Sequence, residues 1–319
     1  MNNGINNIGN TCYMNSILQC LINTVKLKTY FLSDEYNEDK NMNNIESKLS
    51  DEYRTINNDI NYGIITPVNF KKILGNLNYI YKTSNQQDAH EFLINIIELL
   101  SKGCSYKIKI KVKGEIKNEK DKLELKCINK FKKLYQNNYS IFTKLFYGQY
   151  NNILKCINCN YTNNNFDPFC NIMLETKYDS VIECLDDYMK EEKLDDENMW
   201  NCDNCNKKCN AIKKINIWKL PEILTLTLKR FEYSNKSKKI DKLIKISDKI
   251  DMSKYLTGYN DKSVYQIYAI CNHTGNVNGG HYFSYCKTEN KWYNYNDSSV
   301  SEIDKVVSNN AYILFYRKL

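Results

Sequence analysis

Residues 9–22 read GNTCYMNSILQCLI. Ile17, Leu18, Leu21 and Ile22 recur at intervals of three and four, the spacing of one buried stripe on an α-helix. Gly9-Asn10-Thr11 forms a non-helical lead-in, which puts Cys12 at the first turn. A sulfur at a helix N-terminus sits in the favourable end of the dipole, where a thiolate is stabilised. A nucleophilic thiol also needs an imidazole to take its proton and later return it to the leaving group.

The chain offers three histidines, His90, His273 and His281. Around His90, the residues Ala89, Phe92, Leu93, Ile96, Ile97 and Leu100 define the buried stripe of a helix over about 88–100, so His90 reads as structural. His273 lies in a polar, Gly-containing stretch that reads as a loop. His281 follows Gly279-Gly280 at the start of a strand, with its ring free to face a cleft. The run WYNYND at 292–297 reads as the partner strand, offering Asn296 or Asp297 to the other imidazole nitrogen. On residue chemistry alone this is a Cys–His–Asn/Asp protease; the bland alternative is a buried Cys12 and a surface His281.

Downstream, apolar runs at Ile215–Trp218, Ile223–Leu228, Tyr265–Ile270, Tyr282–Cys286 and Tyr312–Tyr316 read as strands, the second with both faces covered. A further helix is predicted over 180–190, through Val181, Leu185 and Tyr188. Helices first and strands later indicate an α+β fold. The Asn-rich patches at 41–44 and 163–165 read as loops, and no repeat or linker is visible.

Cys156-x-x-Cys159 and Cys202-x-x-Cys205 are two knuckles, each able to bring two thiolates to one ion from a tight turn. Four thiolates make a closed, structural zinc site, with the knuckles expected at the tips of two hairpins. Cys209 is close enough in sequence to compete as a ligand. The remaining cysteines read as core or surface thiols.

The chain has 319 residues, 42% hydrophobic and 26% charged, which excludes wholesale disorder and suits one large domain or two modest ones. No apolar run reaches membrane-spanning length, and the N-terminus lacks a secretory pattern. Thirteen cysteines in a chain too large to need stapling point to a reducing, intracellular compartment. The 47 Asn and 26 Tyr against 3 Pro reflect an AT-rich coding bias and say little about chemistry.

The net charge of +8 has one source: residues 101–135 hold twelve Lys against four acids, and the rest of the chain is neutral. Within that stretch Tyr106, Ile108, Ile110 and Val112 alternate with lysines. This predicts an edge strand returning after Gly114 through Leu123, Leu125 and Cys127, a lysine-faced hairpin. A docking surface for an acidic partner or lipid is the sharper reading of the same lysines. Aromatic residues among basic ones at 131–147 keep a zinc-containing nucleic-acid binder as an alternative.

These segments together resemble the ubiquitin-specific proteases. GINNIGNTCYMNSILQCL (4–21) is similar to their cysteine box; GGHYFSYCK (279–287) with KWYNYNDSSVSEI (291–303) is similar to their histidine box. QQDAHEFL (86–93), YGQY (147–150), LPEILTLTLKRFEY (220–233) and AYILFYRK (311–318) follow in family order across nearly the whole chain. The resemblance implies a papain-like cysteine protease fold in one catalytic domain: a helical thumb (about 1–140), zinc-braced β fingers (about 141–217) and a β-rich palm (about 218–319). It implies a deubiquitinase acting after the C-terminal glycine of ubiquitin, whose thin Gly-Gly end alone fits the channel.

Carried over position by position, Cys12 is the nucleophile, His281 the general base and acid, and Asn7 the oxyanion-hole side chain. Asn296 is the match for the third triad residue, with Asp297 a close second that adds charge. Asp88, Gly280 and Tyr282 match positions that bind the ubiquitin tail, and Cys156, Cys159, Cys202 and Cys205 match the ligands of one structural zinc. Expected partners are ubiquitin and ubiquitinated proteins, with no nucleic acid, no membrane and a monomeric state, in cytoplasm or nucleus. A silent ubiquitin binder on this scaffold, or a protease for another ubiquitin-like modifier, are the alternatives. The chain opens three residues before the cysteine box, so no preceding module is expected, and the compact length leaves little room for insertions. Because the ubiquitin tail is basic, the lysine-rich stretch is expected to lie away from the cleft.

Overall fold

A computed structural model of the protein describes residues 2–39, 44–232, 238–259, 262–277, 279–306 and 309–319. The N-terminal half is helical: α1 (Cys12–Ile22), α2 (Val25–Leu32), α3 (Glu35–Asp39), α4 (Ile45–Asp59), α5 (Val68–Leu77), α6 (Ala89–Gly103), α7 (Glu119–Tyr135) and α8 (Ile141–Phe146). There follow β1 (Gly148–Cys156), β2 (Thr162–Phe169), β3 (Ile172–Glu175), α9 (Val181–Tyr188), β4 (Glu192–Leu194), β5 (Trp200–Cys202), β6 (Lys207–Cys209) and β7 (Ala211–Lys219). The last third is β8 (Ile223–Lys229), β9 (Phe231–Glu232), β10 (Lys238–Lys239), β11 (Lys249–Asp251), β12 (Val264–Asn276), β13 (Gly279–Thr288), β14 (Lys291–Asn296), β15 (Ser299–Ile303) and β16 (Ala311–Lys318).

Four sheets form among the described residues. The largest runs β15-β14-β13-β12-β16-β8-β3, with β11 on β12; a four-stranded sheet runs β2-β1-β7-β4, and β5-β6 and β9-β10 are hairpins. Because β3 pairs in parallel with β8, the chain segment between β2 and β4 serves the large sheet rather than the small one. β8 is buried on both sides, as its run of apolar residues demands: Leu224, Leu226 and Leu228 pack with α9, while Thr225 and Thr227 accept from the Asn171 amide at 3.1 and 2.9 Å.

The sequence shows α1 as a helix with one apolar stripe; in the structure every one of its residues is buried. It lies between α6 and the large sheet, so its polar residues must be satisfied internally. Gln19 donates to the Asn3 carbonyl at 3.0 Å, and Ser16 meets the Cys271 thiol at 3.2 Å. α6 begins on an Asp88 N-cap and buries Ala89, Phe92, Leu93, Ile96, Ile97 and Leu100, so these two helices form the centre of the core beside the site.

Two expectations are corrected here. The lysine-rich hairpin does not form: residues 107–113 take no regular secondary structure, the segment is tied to the described residues by the Tyr106–Tyr139 bridge and the Ile108 N–H to Gln136 carbonyl bond, and the expected return strand is helix α7. A capping box explains it, with Asn118 Oδ1 accepting from the Asp121 N–H at 2.9 Å and Asp121 Oδ2 from the Asn118 N–H at 3.2 Å. Leu123 and Cys127, four residues apart, then share one helical face against Phe166 and Trp218. Asn163, Asn164 and Asn165 are not a loop but belong to β2, paired with Leu154, Ile153 and Asn152 of β1. Of the patch at 41–44, residues 41–43 lie outside the described residues, and Asn44 caps α4. No described helix is long and apolar enough to cross a membrane.

Candidate active site

The loop before α1 is shaped by two left-handed residues, Gly9 (φ +104°) and Asn10 (φ 53°), which let the chain fold back and present Cys12 as the first helical residue. Asn7 organises that loop. Its Oδ1 accepts from the backbone N–H groups of Gly9 and Thr11, both at 3.1 Å, so the amide has one orientation. Its Nδ2 then points outward and donates to Asp297 Oδ2 at 3.0 Å, leaving the second Nδ2 hydrogen unassigned by that bond.

His281 stands near the start of β13, ahead of the Ser284–Thr288 stretch that pairs with β14, and Asn296 ends β14 just past the last of those pairs, Ser284 with Tyr295. The ring Nε2 lies 2.6 Å from Asn296 Oδ1. An amide oxygen only accepts, so Nε2 carries hydrogen and Nδ1 is the nitrogen left to take a proton. The imidazole is within hydrogen-bonding reach of the Cys12 sulfur, and that contact is the main reason its pKa rises to about 9. Burial works against the rise, while the Asn296 bond and the charges of Cys12 and Asp297 add to it. Cys12, His281 and Asn296 are thus brought together from α1, β13 and β14.

Asp297 is turned away from the ring. It is itself left-handed (φ 50°) in the tight turn between β14 and β15. Oδ1 accepts from the Asn15 amide at 2.8 Å, Oδ2 from Asn7, and the carbonyl accepts from the Ile5 N–H at 2.9 Å. One carboxylate therefore clips the β14–β15 turn to the pre-helix loop and to α1.

Asp88 caps α6 through Oδ1, which accepts from the His90 and Glu91 N–H groups at 2.7 and 3.0 Å. Oδ2 accepts from Tyr312 at 2.8 Å and, more loosely, from Tyr282 at 3.4 Å. Gly280 is bracketed by Gln86, whose amide donates to its carbonyl at 3.1 Å and whose oxygen accepts from its N–H at 3.4 Å. A Cβ at Gly280 would lie 2.2 Å from His273 Nε2, so no larger residue fits without movement.

His273 is corrected by the structure: it is a buried residue of β12, opposite Tyr282, rather than part of a polar loop. Burial first, and then the Lys239 ammonium, lower its pKa to about 4, so it is neutral. His90 packs away from the triad toward Asn171, with burial lowering its pKa.

At the far end of the four-stranded sheet, Cys156 ends β1, Cys202 ends β5, and Cys159 and Cys205 sit in the turns that follow. Asn160 (φ 60°) and Asn206 (φ 51°) close the two turns in the same left-handed conformation. Backbone N–H groups of Asn158 and Cys159 point at the Cys156 sulfur, and those of Asn204 and Cys205 at the Cys202 sulfur. The ligand atoms of all four cysteines lie within 4.8 Å of one another, which fits a single tetrahedral ion held by thiolates.

Sequence reasoning missed Asn15 and Gln86. Asn15 sits among apolar neighbours in α1 and carries no local mark of its tie to Asp297, 282 residues away. Gln86 lies in the QQDAHEFL segment, but its contact with Gly280 joins positions 194 residues apart.

The family profile described as "Ubiquitin carboxyl-terminal hydrolase" matches residues 3–316. The chain is similar to Ubiquitin carboxyl-terminal hydrolase Usp2 of Drosophila melanogaster, 32% identical over 331 residues that cover 99% of this chain and 34% of that protein. It is 33% identical over 320 residues to human Ubiquitin carboxyl-terminal hydrolase 42, covering 98% of this chain and 22% of that one. It therefore spans about a third or less of the length of these two curated relatives. Among solved structures, it superposes on a chain of the SAGA Ubp8/Sgf11/Sus1/Sgf73 DUB module bound to ubiquitin aldehyde, with TM-score 0.77 and 26% identity over 99% of this chain and 69% of that one. With the profile matched almost end to end, the chain belongs to the ubiquitin carboxyl-terminal hydrolase family and has the fold of the ubiquitin-specific protease catalytic domains.

Proposed function

We propose that this chain is a cysteine-type deubiquitinase that hydrolyses the peptide or isopeptide bond after the C-terminal glycine of ubiquitin. The observation that carries the reading is the Cys12 sulfur at the head of α1 within reach of an imidazole that Asn296 holds at 2.6 Å. In this mechanism the Cys12 sulfur attacks the glycine carbonyl carbon and its proton resides on His281. The carbonyl oxygen, now an anion, meets the Cys12 backbone N–H and the Asn7 Nδ2 hydrogen that Asp297 does not hold. His281 gives its proton to the departing amine, the C–N bond breaks, and a thioester to Cys12 remains. Water then surrenders a proton to His281 and attacks the thioester; the C–S bond breaks, the Cys12 sulfur recovers its proton from His281, and the ubiquitin carboxyl group leaves as the carboxylate with its proton lost to solvent.

Asn296 orients the ring; being neutral, it adds little charge stabilisation. Asp297 contributes through Asn7 as a positioning residue. Asp88, Gly280 and Tyr282 are assigned to the channel for the ubiquitin tail. The four donors already on Asp88 mean that direct contact with a tail N–H replaces the long 3.4 Å bond from Tyr282.

The helices to about residue 140 are assigned to the thumb, about 141–217 to the fingers and about 218–319 to the palm; the helical half, the four-stranded sheet and the large sheet support this division, apart from β3 and α9, which fall within 141–217 but join the large sheet. Cys156, Cys159, Cys202 and Cys205 hold one zinc. A site with four protein ligands leaves no position for water, so the ion braces the fingers and takes no part in the reaction. Ubiquitinated proteins are the substrates, the chain acts as a monomer, and the thirteen unbridged cysteines suit a reducing intracellular compartment.

The test is labelling by ubiquitin bearing a thiol-reactive C-terminal warhead, on wild type and Cys12→Ala. An adduct lost in the variant supports the reading. An adduct that survives moves the nucleophile elsewhere. No adduct from the folded, zinc-loaded protein overturns it in favour of a silent binder, or of another modifier if that modifier's warhead labels instead.

A further inference from the structure

Five cysteines, not four, meet at the tip of the small sheet. Cys209 is 2% exposed and packs in one buried cluster with Cys156 and Cys202, against which Cys159 and Cys205 are laid. The β5–β6 hairpin explains its position. Cys202 pairs with Lys207 and Trp200 with Cys209, so residues 207 and 209 share a face and Cys209 lies diagonal to Cys202. The chain just after it is tied to the first knuckle: the Asn210 carbonyl accepts from the Ile157 N–H at 3.0 Å, and Ala211 pairs with Cys156. The Cys209 thiol is also within hydrogen-bonding reach of Cys205. It nevertheless stands outside the group of four whose sulfurs lie within 4.8 Å of one another.

The two neighbours differ in protection. Cys205 is only half-buried, in a turn whose other residues, Asp203, Asn204 and Asn206, are exposed. Cys209 is buried in a strand. Of the four knuckle positions, Cys205 is therefore among those open to solvent and reagents, and the adjacent fifth thiol is shielded.

We infer that Cys209 is a reserve ligand of the zinc site, taking the place of Cys205 when that thiolate detaches. The inference rests on the reading of the four knuckle cysteines as a zinc site. The exchange is redox-neutral: the Zn–S bond to Cys205 breaks, the bond to Cys209 forms, and the Cys209 proton passes to the Cys205 sulfur. The ion keeps four thiolates throughout, from Cys156, Cys159, Cys202 and Cys209 at the end.

Cobalt(II) substitution tests this, because thiolate-to-cobalt charge-transfer intensity scales with the number of sulfur ligands. Cys205→Ser is expected to keep one ion per chain and the four-thiolate spectrum, and Cys205→Ser/Cys209→Ser to drop to three thiolates. A three-thiolate spectrum already in Cys205→Ser overturns the inference. Should that variant not fold, Cys209→Ser is the second arm. It keeps the four-thiolate spectrum but is expected to lose zinc to excess chelator several-fold faster than wild type, and an unchanged rate refutes the reserve role. If wild type binds no thiolate-ligated cobalt, the zinc assignment itself fails, and the inference with it.

Discussion

Removing the Asn296 amide should move the alkaline limit of activity. The imidazolium of His281 is needed to protonate the leaving amine, and its pKa is raised to about 9 with Asn296 among the causes. A neutral hydrogen bond contributes about 0.5–1.5 kcal/mol, and one pKa unit corresponds to about 1.4 kcal/mol. Asn296→Ala should therefore lower the alkaline limb by about 0.4 to 1.1 units. The lower half of that range applies, because the Asn296 side chain is exposed to water. The assay is kcat/KM against pH on a fluorogenic amide of the ubiquitin C-terminus. Asn296→Asp, which adds a charge, should raise the limb. Asp297→Ala should move it less than Asn296→Ala, since the Asp297 oxygens are spent on Asn7 and Asn15. A larger downward shift in Asp297→Ala would refute the assignment of Asn296 as the ring's partner. The same raised pKa has a stability counterpart. The folded chain holds this proton more tightly than the unfolded one, so the contribution is complete below about pH 6.5 and is lost as the pH rises through about 9. Thermal midpoints of wild type and His281→Ala should converge across that interval.

Asn7→Ala removes one oxyanion donor and should cut kcat by about 100- to 1,000-fold, with a folded circular dichroism spectrum and little change in KM; a drop confined to KM would contradict the role. Gly280→Ala drives a methyl group to 2.2 Å from His273 Nε2, so β13 must shift and KM for ubiquitin substrates should rise. Adding His273→Ala removes the ring contact but not the Thr274 carbonyl, which would lie 2.5 Å from the same methyl, so it should restore only part of the loss, and full recovery would contradict the backbone clash. Chelation of the metal should lower the thermal midpoint and abolish the fold of the fingers first, read as early proteolysis between residues 156 and 209; protection equal to that of the loaded protein would argue against a bracing ion. Asn118→Ala breaks the capping box of α7 and should cost about 1 kcal/mol in urea unfolding, whereas no loss would be expected of an exposed hairpin turn.

Local patterns carried much of the fold. The stripe in α6, the unbroken apolar run of β8 and the paired knuckles each follow from residues close in sequence, whose spacing alone decides which face is buried or which sulfurs can share an ion. The reading failed where two periods competed. Residues 106–113 alternate as a strand does, and that pattern was extended through Leu123 and Cys127, although a cap at Asn118 and a spacing of four mark a helix. Alternation shows that a segment can be a strand; only a neighbouring strand makes it one, and none of the described residues supplies it to Lys109–Lys113. His273 shows the converse, since polar neighbours suggested a loop where pairing to Tyr282 and Asn310 buries it in a sheet.

By itself the sequence determined which groups could do the chemistry: a thiol at a helix start, one histidine after two glycines, an Asn-Asp pair beyond it, and two cysteine knuckles. Adjacent residues such as Asn296 and Asp297 could not be told apart on that basis. Successive residues leave the end of a strand in different directions, and which one meets the ring depends on the turn that follows. The tertiary structure decided it. Register between β13 and β14 brings the Asn296 amide to His281, and the left-handed turn at Asp297 swings its carboxylate onto Asn7 and Asn15 from elements nearly three hundred residues away in the chain.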